Sequence, residues 1–336
     1  MRVADLPGWE ADDHEAALEA FRLTARRHLE RPLRSRPSTP LNGFDAVARA
    51  SLDDVDARAF FETRFEPRTL GSGKLTGYYE PVVPASVERT AEFAVPLHAR
   101  PPELVATEPP MRYGVRRGGI VRPYHDRGAI QSGALDGRGL EIAWLRDAVD
   151  AFVIHVQGSA RLAMRDGTVR RVTYAAKSGH EYSSLGAVML ARLRERDPDT
   201  PATAVTADKL STWLRGLGDE LPGVLALNRS YIFFAIAPAG DEGPVAAAKV
   251  PLTAGRSLAV DRNLHSFGLP FWVETQAPLP EETSATRRLT IAQDTGSAIL
   301  GEARGDLFVG SGAAAGRIAG DMNHPARFTV LLPRQA

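Results

Sequence analysis

Two aspartates near the C-terminus are placed to do chemistry. Asp294 sits in Ala292-Gln-Asp-Thr-Gly-Ser-Ala-Ile, and Asp306 in Gly305-Asp-Leu-Phe-Val-Gly. Small and apolar neighbours set both apart from a solvated charge run. A carboxyl in such a setting is expected to lie against a sheet, on one side or the other of a small-residue turn, where its pKa can be raised. Two reaction classes use aspartates of this kind. Aspartic peptidases share one proton between two facing Asp-Thr-Gly aspartates. Glycoside-cleaving enzymes use a protonated carboxyl to deliver a proton to the leaving oxygen.

The peptidase reading needs a symmetric dimer, because the chain holds a single Asp-Thr-Gly, and 336 residues is long for a retroviral-type subunit. Gln293 also stands where those enzymes place an apolar residue. The glycosidase reading needs aromatic faces, amides and hydroxyls for sugar recognition. The chain offers Tyr78-Tyr79, Gln157-Gly158-Ser159, the run Lys177-Ser-Gly-His180-Glu-Tyr182, and Trp272. Each also has a plain structural reading. One ring of a Tyr-Tyr pair on a strand belongs in a core, Gln157 and Ser159 satisfy a turn, and Lys177 and His180 sit on a surface. Metal chemistry has no support: the 8 histidines form no His-Glu-x-x-His or His-x-x-x-His pair, and no cofactor is expected. There is no Gly-x-Ser-x-Gly elbow and no Walker A loop. Gly310-Ser-Gly-Ala-Ala-Ala-Gly lacks a surrounding βαβ unit and reads as a tight turn into a short helix.

The elements that must position these residues follow from periodicity. Residues 12–31 read as an amphipathic helix capped by Asp12 or Asp13, with Leu18, Phe21, Ala25 and Leu29 on one face. Residues 42–50 and 54–65 read as two shorter helices. Strands are expected at 78–83, 93–97, 151–156, 169–174, 231–237, 257–260, 271–274, 288–292, 306–309 and 326–332, and helices at 184–194 and 207–217. Residues 96–111 read as a proline-rich irregular crossing and 276–286 as a Pro/Glu/Thr-rich loop. Helices first, then mixed sheet, then β-rich chain indicate a mainly β, α+β protein. Lys+Arg and Asp+Glu are both 41, so bulk charge does not suit a nucleic-acid partner, and the local basic run at 22–36 reads as a helix face plus linker. Cysteine is absent, which excludes disulfides, thiolate ligands and a lipidated N-terminal cysteine in this chain. No stretch reads as a signal peptide or a membrane span.

Six segments in order resemble the MltA family of lytic murein transglycosylases (glycoside hydrolase family 102). They are Gly77-Tyr-Tyr-Glu-Pro, Phe152-Val-Ile-His-Val-Gln-Gly-Ser-Ala-Arg, Tyr174-Ala-Ala-Lys-Ser-Gly-His-Glu-Tyr, Asn228-Arg-Ser-Tyr-Ile-Phe-Phe, Pro251-Leu-Thr-Ala-Gly-Arg-Ser-Leu-Ala-Val-Asp-Arg, and the segment running from Ala292-Gln-Asp-Thr-Gly to Gly305-Asp-Leu-Phe. The C-terminal part also resembles the three-aspartate (3D) domain, with its aspartates at Asp261, Asp294 and Asp306. The resemblance implies a discontinuous double-psi β-barrel domain with a helical N-terminal part over residues 1–85 and 239–336. It also implies an inserted β-rich domain at 86–238, with a glycan groove between the two. It makes Asp306 the sole catalytic acid, with Asp294 and Asp261 in support. Tyr78, Tyr79, Gln157, Gly158, Ser159, Lys177, Gly179, His180, Tyr182, Arg262 and Thr295 become candidate substrate contacts. The chain departs from the family pattern at Ala160, Ala176, Ser178, Ser297 and Val309, all small or apolar exchanges away from the acid, which bear on substrate affinity more than on reaction type.

The implied reaction cleaves the β-1,4 bond between N-acetylmuramic acid and N-acetylglucosamine and closes a 1,6-anhydro ring. With no carboxylate nucleophile, positive charge at C1 is left to dipoles and hydroxyls, with Asp294, Asp261, Thr295 and Gln157 as candidates. An aspartic peptidase, a non-catalytic peptidoglycan-binding protein and a plain hydrolase of the same bond are the alternatives. The implied partner is the peptidoglycan glycan strand, met by a monomer in the periplasm or cell envelope, with the native start expected upstream.

Overall fold

A computed structural model describes residues 1–107, 112–276 and 286–335. The chain divides into two compact units: residues 1–79, 242–310 and 314–336 in unit one, and residues 80–241 and 311–313 in unit two. Helices α1 (His14–Glu30), α2 (Phe44–Ala50) and α3 (Ala57–Arg64) lead into the long strand β1 (Phe65–Glu80). The middle of the chain runs through β2 (Val82–Ser86), β3 (Val95–His98), β4 (Leu104–Ala106), β5 (Tyr113–Arg117), β6 (Ile120–Arg122), α4 (Arg127–Gln131) and β7 (Glu141–Leu145). It continues with α5 (Ala148–Gln157), β8 (Ser159–Met164), β9 (Val169–Lys177), α6 (Leu185–Arg196), α7 (Ala207–Arg215), α8 (Leu221–Ala226) and β10 (Ile232–Ala237). The last part holds β11 (Ser257–Ala259), β12 (Pro270–Thr275), β13 (Thr286–Asp294), β14 (Arg304–Ser311), α9 (Gly312–Asp321) and β15 (Asn323–Pro333).

Unit one is a closed barrel of order β1-β14-β11-β13-β12-β15. Closure removes free strand edges, so short strands suffice. Leu75, Leu258, Leu289, Ile291, Leu307, Phe328 and Val330 fill it, in one apolar core with Phe21, Phe44, Phe60 and Phe61 of the N-terminal helices. The expected helix at 12–31 is α1; Asp13 caps it by accepting from the Ala16 N–H at 3.0 Å. Strand β1 is far longer than the six residues expected at 78–83. Its outer half, paired with β15 from Phe65 to Thr76, has a bulge between Thr69 and Gly71 that breaks the alternation a sequence reading depends on. Gly73 is needed where β1 meets β14. A Cβ there would lie 1.7 Å from the Ala303 carbonyl oxygen, which accepts from the Lys74 N–H at 3.0 Å.

Gln293 fixes the barrel to α1. The residue is fully buried; its amide NH2 donates to the Ala20 carbonyl (2.8 Å) and to Thr24 Oγ1 (2.7 Å), and its carbonyl accepts from Ser257 Oγ (2.5 Å). All its hydrogen-bonding groups are therefore engaged. Gln293→Leu should lower the stability by about 1–3 kcal/mol, since it leaves buried polar partners unmatched; a denaturant-midpoint shift measures it, and an unchanged midpoint would show that the clamp contributes nothing.

Unit two holds a six-stranded sheet of order β10-β9-β8-β2-β7-β3 and a separate β4-β5-β6 sheet. Strands β2 and β8 run parallel, and the other registered pairs are antiparallel. Helices α4 to α8 belong to the same unit, so the mixed α+β class read from the sequence is the observed one. One element differs. Residues 151–156, expected as a strand, form the middle of α5. Asp147 caps that helix, accepting from the N–H groups of Val149 (2.7 Å) and Asp150 (2.8 Å), and Gly158 ends it at φ 82°. A short, mostly apolar run has no diagnostic period, and the flanking caps decide the outcome. Part of the expected crossing at 96–111 and most of the expected loop at 276–286 lie outside the described residues; the described part of the former supplies β3 and β4.

Candidate active site

Strand β11 runs between β13 and β14, and its Ala259 pairs with Asp294 in parallel register and with Asp306 in antiparallel register. Registered neighbours on adjacent strands project to the same side. The two carboxyls therefore flank a single methyl group. That side faces away from the barrel core. Leu258 and Leu307 point into the core, whereas Ala259 and Phe308 join Tyr78, Ala246 and Leu252 in a small apolar cluster outside it.

The carboxyls differ in their partners. Asp294 accepts from Tyr78 Oη at 3.0 Å, from the Ala247 N–H at 3.0 Å and from the Thr295 N–H. Asp306 accepts one hydrogen bond, from Thr76 Oγ1 at 2.5 Å. Arg304 Nη2 donates in turn to Thr76 Oγ1 at 2.8 Å. Both carboxyls keep a partly open face, yet burial dominates and raises both pKa values. At Asp294 the three donors oppose the rise. At Asp306 the Thr76 hydroxyl and the Arg304 and Lys74 charges oppose it, while the Asp294 charge adds to it. Donors to a carboxylate favour its ionised form. The pair is thus divided into a carboxyl with three donors at Asp294 and a sparsely bonded carboxyl at Asp306, the one better suited to hold a proton. Burial, then the two aspartate charges, pushes the Tyr78 phenol well above its usual range, so it stays a donor.

The other residues singled out in the sequence divide among several places. On β1, Lys74, Thr76 and Tyr78 share the carboxyl side by strand alternation. Tyr79 faces the other way, against α9, where a Cβ on Gly316 would meet its ring at 2.9 Å. Asp261 is buried, and its carboxylate accepts from the N–H groups of Asn263 and Gly301, both at 2.9 Å. It ties the turn after β11 to the loop before β14, which is a positioning task. Arg262 follows it in that turn, partly buried. Trp272, considered as a sugar platform, is instead fully buried in the barrel core with its ring centroid 5.1 Å from that of Trp9. Bulk and hydrophobicity won there over any surface role.

Gln157, Gly158, Ser159, Lys177, Gly179, His180 and Tyr182 belong to unit two. The first three form the turn from α5 into β8, with Ser159 buried and paired with Thr173. Lys177 ends β9, and burial, then the Arg112 charge, lowers its pKa, while Glu181 opposes this. The segment beyond it is held down by the Ser178 N–H donating to the Tyr231 carbonyl (2.9 Å), by His180 Nε2 against the Tyr124 carbonyl (2.9 Å), and by the Ser183 N–H donating to Asn228 Oδ1 (3.2 Å). Burial raises the pKa of Tyr182.

Comparison with known proteins agrees with this architecture. The MltA specific insert domain matches residues 74–235 and the 3D domain matches residues 256–332. A crystal structure of a membrane-bound lytic murein transglycosylase from Agrobacterium tumefaciens superimposes with a TM-score of 0.89 at 40% identity, covering 99% of this chain and 97% of that one. The chain belongs to the MltA family. Escherichia coli MltA with bound chitohexaose is similar at 25% identity and a TM-score of 0.72, over 98% of this chain and 91% of that one. Membrane-bound lytic murein transglycosylase A of Escherichia coli K12 is 31% identical over 268 residues, which is 78% of this chain. The match spans 66% of that MltA relative, a little under two thirds of its length.

Three members of the site escape the sequence reading: Thr76, Arg304 and the spacer Ala259. Thr76 lies two residues before Tyr78 on the same strand and Arg304 two before Asp306, so strand periodicity contained the signal for both. Ala259 matters only because β11 inserts between two strands that are consecutive in sequence, which no local pattern announces.

Proposed function

We propose that the protein is a lytic murein transglycosylase that cleaves the β-1,4 bond between N-acetylmuramic acid and N-acetylglucosamine, leaving a 1,6-anhydromuramoyl end. The observation that carries this reading is the unequal bonding of the carboxyl pair, with three donors on Asp294 and the Thr76 hydroxyl on Asp306, which supports Asp306 as the group that holds a proton. The names of the relatives and the chitohexaose bound to Escherichia coli MltA support the substrate class.

Asp306 gives its proton to the glycosidic oxygen as the C1–O bond breaks, and positive charge develops at the muramoyl C1. The ionised Asp306 then takes the proton of the same sugar's C6 hydroxyl, whose oxygen bonds to C1. One carboxyl serves both steps because the nucleophile is already in place. Asp294 lies beside the acid, and the hydrogen bonds it accepts from Tyr78 and Ala247 favour its ionised form. Thr295 contributes its backbone N–H to the same carboxylate. Asp261 acts by holding the loop before β14. Tyr78, Tyr79, Arg262 and the unit-two residues Gln157, Gly158, Ser159, Lys177, Gly179, His180 and Tyr182 are proposed contacts to the strand and its substituents. Among the described residues no helix is long and apolar enough to cross a membrane. The names of the relatives place those proteins at a membrane, and a place in the cell envelope follows for this one from its substrate. The peptidase alternative is not favoured: the chain holds a single Asp-Thr-Gly, and Asp294 accepts from Tyr78 and Ala247 rather than facing a second such aspartate.

The pH profile of muropeptide release from purified sacculi tests this reading. The acid must be protonated, and its pKa is raised, so release should hold through the ordinary aspartate range around 4 and fall as the pH rises through the elevated Asp306 value. Activity that instead falls with decreasing pH across that range would assign the carboxyl the opposite role. Failure to release any muropeptide would end the transglycosylase reading.

A further inference from the structure

The geometry points to Arg304 as the positioning residue of the acid: by donating to Thr76 Oγ1, it aims the single Thr76 hydroxyl proton at Asp306 Oδ1 and leaves Oδ2 as the oxygen that carries the transferable proton. This rests on the role proposed above for Asp306.

A threonine hydroxyl has one proton and two lone pairs, and a guanidinium only donates. Arg304 Nη2 lies 2.8 Å from Thr76 Oγ1, so that oxygen is the acceptor. A cation on one lone pair disfavours accepting a second proton donor on the other, so the hydroxyl donates onward to Asp306 Oδ1 at 2.5 Å. Arg304 is itself held, with Nη1 donating to the Gly305 carbonyl and, at 3.4 Å, to the Lys74 carbonyl. It stands two residues before Asp306 on β14 and shares its side of the strand. The charged and titratable groups around Asp306 are Lys74 on β1, Asp294 on β13 and Arg304 on its own strand, while the Tyr78 hydroxyl on β1 is directed to Asp294. Of these, Arg304 is the one linked to Asp306 through a hydrogen-bonded intermediary. The chain also works in the second step. After the proton leaves, Arg304 and the Thr76 hydroxyl stabilise the carboxylate that must next act as base.

The test compares wild type, Arg304→Met, Arg304→Lys, Thr76→Val and the Thr76→Val/Arg304→Met double variant. Each is followed by the pH dependence of muropeptide release and by 13C-carboxyl NMR titration of Asp306. Arg304→Met removes both donor and charge, so the Asp306 titration and the alkaline limb should move up by about 0.5–1 pH unit. Arg304→Lys, which keeps the charge and a donor, should restore most of the wild-type position. In the Thr76→Val background, Arg304→Met should add less than its own shift, because the part of the coupling carried by the hydroxyl is missing and only the direct effect of the charge remains. An unchanged Asp306 titration in Arg304→Met, or full additivity in the double variant, overturns the inference. The NMR titration needs no turnover, so a wild type that releases no anhydromuropeptide defeats the functional reading alone.

Discussion

Asp306→Asn should stay folded and lose about 10²–10⁴-fold of its activity on sacculi, the usual contribution of a positioned general acid. The asparagine carbonyl can still accept the Thr76 hydroxyl, whose oxygen lies 2.5 Å from Oδ1, so the hydrogen-bonded frame survives. What is lost is the proton, and with it both the protonation of the leaving oxygen and the later acceptance of the C6 proton. Asp294→Asn is expected to behave differently. It keeps the acid but breaks the match with the Tyr78, Ala247 and Thr295 donors, so stability and activity should fall together. Thermal melts beside rate measurements separate the two outcomes. An Asp306→Asn protein within tenfold of wild type would remove that residue from the chemistry.

The largest stability loss is expected in unit two, from Glu80→Gln. Glu80 is completely buried, and its carboxylate accepts from Arg171 Nε (2.8 Å), Arg161 Nε (2.9 Å), Arg171 Nη2 (3.3 Å) and Ser311 Oγ (2.8 Å). Arg171 is buried too, and both guanidiniums also donate to the Gly240 carbonyl. A neutral amide leaves two cations facing each other without their shared anion. Breaking a buried charge cluster by removing one partner costs about 3–5 kcal/mol, far above the value of a surface pair. Replacing Arg171 by Met in the same protein should recover part of the loss, since the penalty is the stranded charge and not a missing attraction. Urea denaturation measures both. A loss under about 1 kcal/mol for Glu80→Gln would place the cluster with exposed ion pairs.

How much of this was legible in the sequence depends on whether the determinant is local. Helix α1 was readable because its cap at Asp13 and its apolar face at Leu18, Phe21 and Ala25 lie within one stretch. The two aspartates were readable as buried carboxyls from their small and apolar neighbours, and both have raised pKa values. The α5 helix was misread because the signal lay in its caps, Asp147 and Gly158, and not in its uniform apolar middle. The outer half of β1 was missed because its glycines and its bulge interrupt alternation. What separates Asp306 from Asp294 is mostly non-local. Two of the three donors to Asp294 come from β1 and from the segment around Ala247, and the Arg304–Thr76 link joins two strands far apart in sequence. Trp272 has the residue type of a sugar platform, but its neighbour Trp9 comes from the opposite end of the chain and encloses it.

Cleavage of the glycosidic bond by one aspartate without water is tested most directly by digesting purified sacculi in H2(18)O and weighing the products. Wild-type protein should release muramoyl ends that are one water lighter than reducing ends and carry no 18O, and Asp306→Asn should release them about 10²–10⁴-fold more slowly. Reducing muramoyl ends labelled with one 18O would make the enzyme a hydrolase. Unlabelled anhydro ends from Asp306→Asn at the wild-type rate would contradict the assignment of the acid.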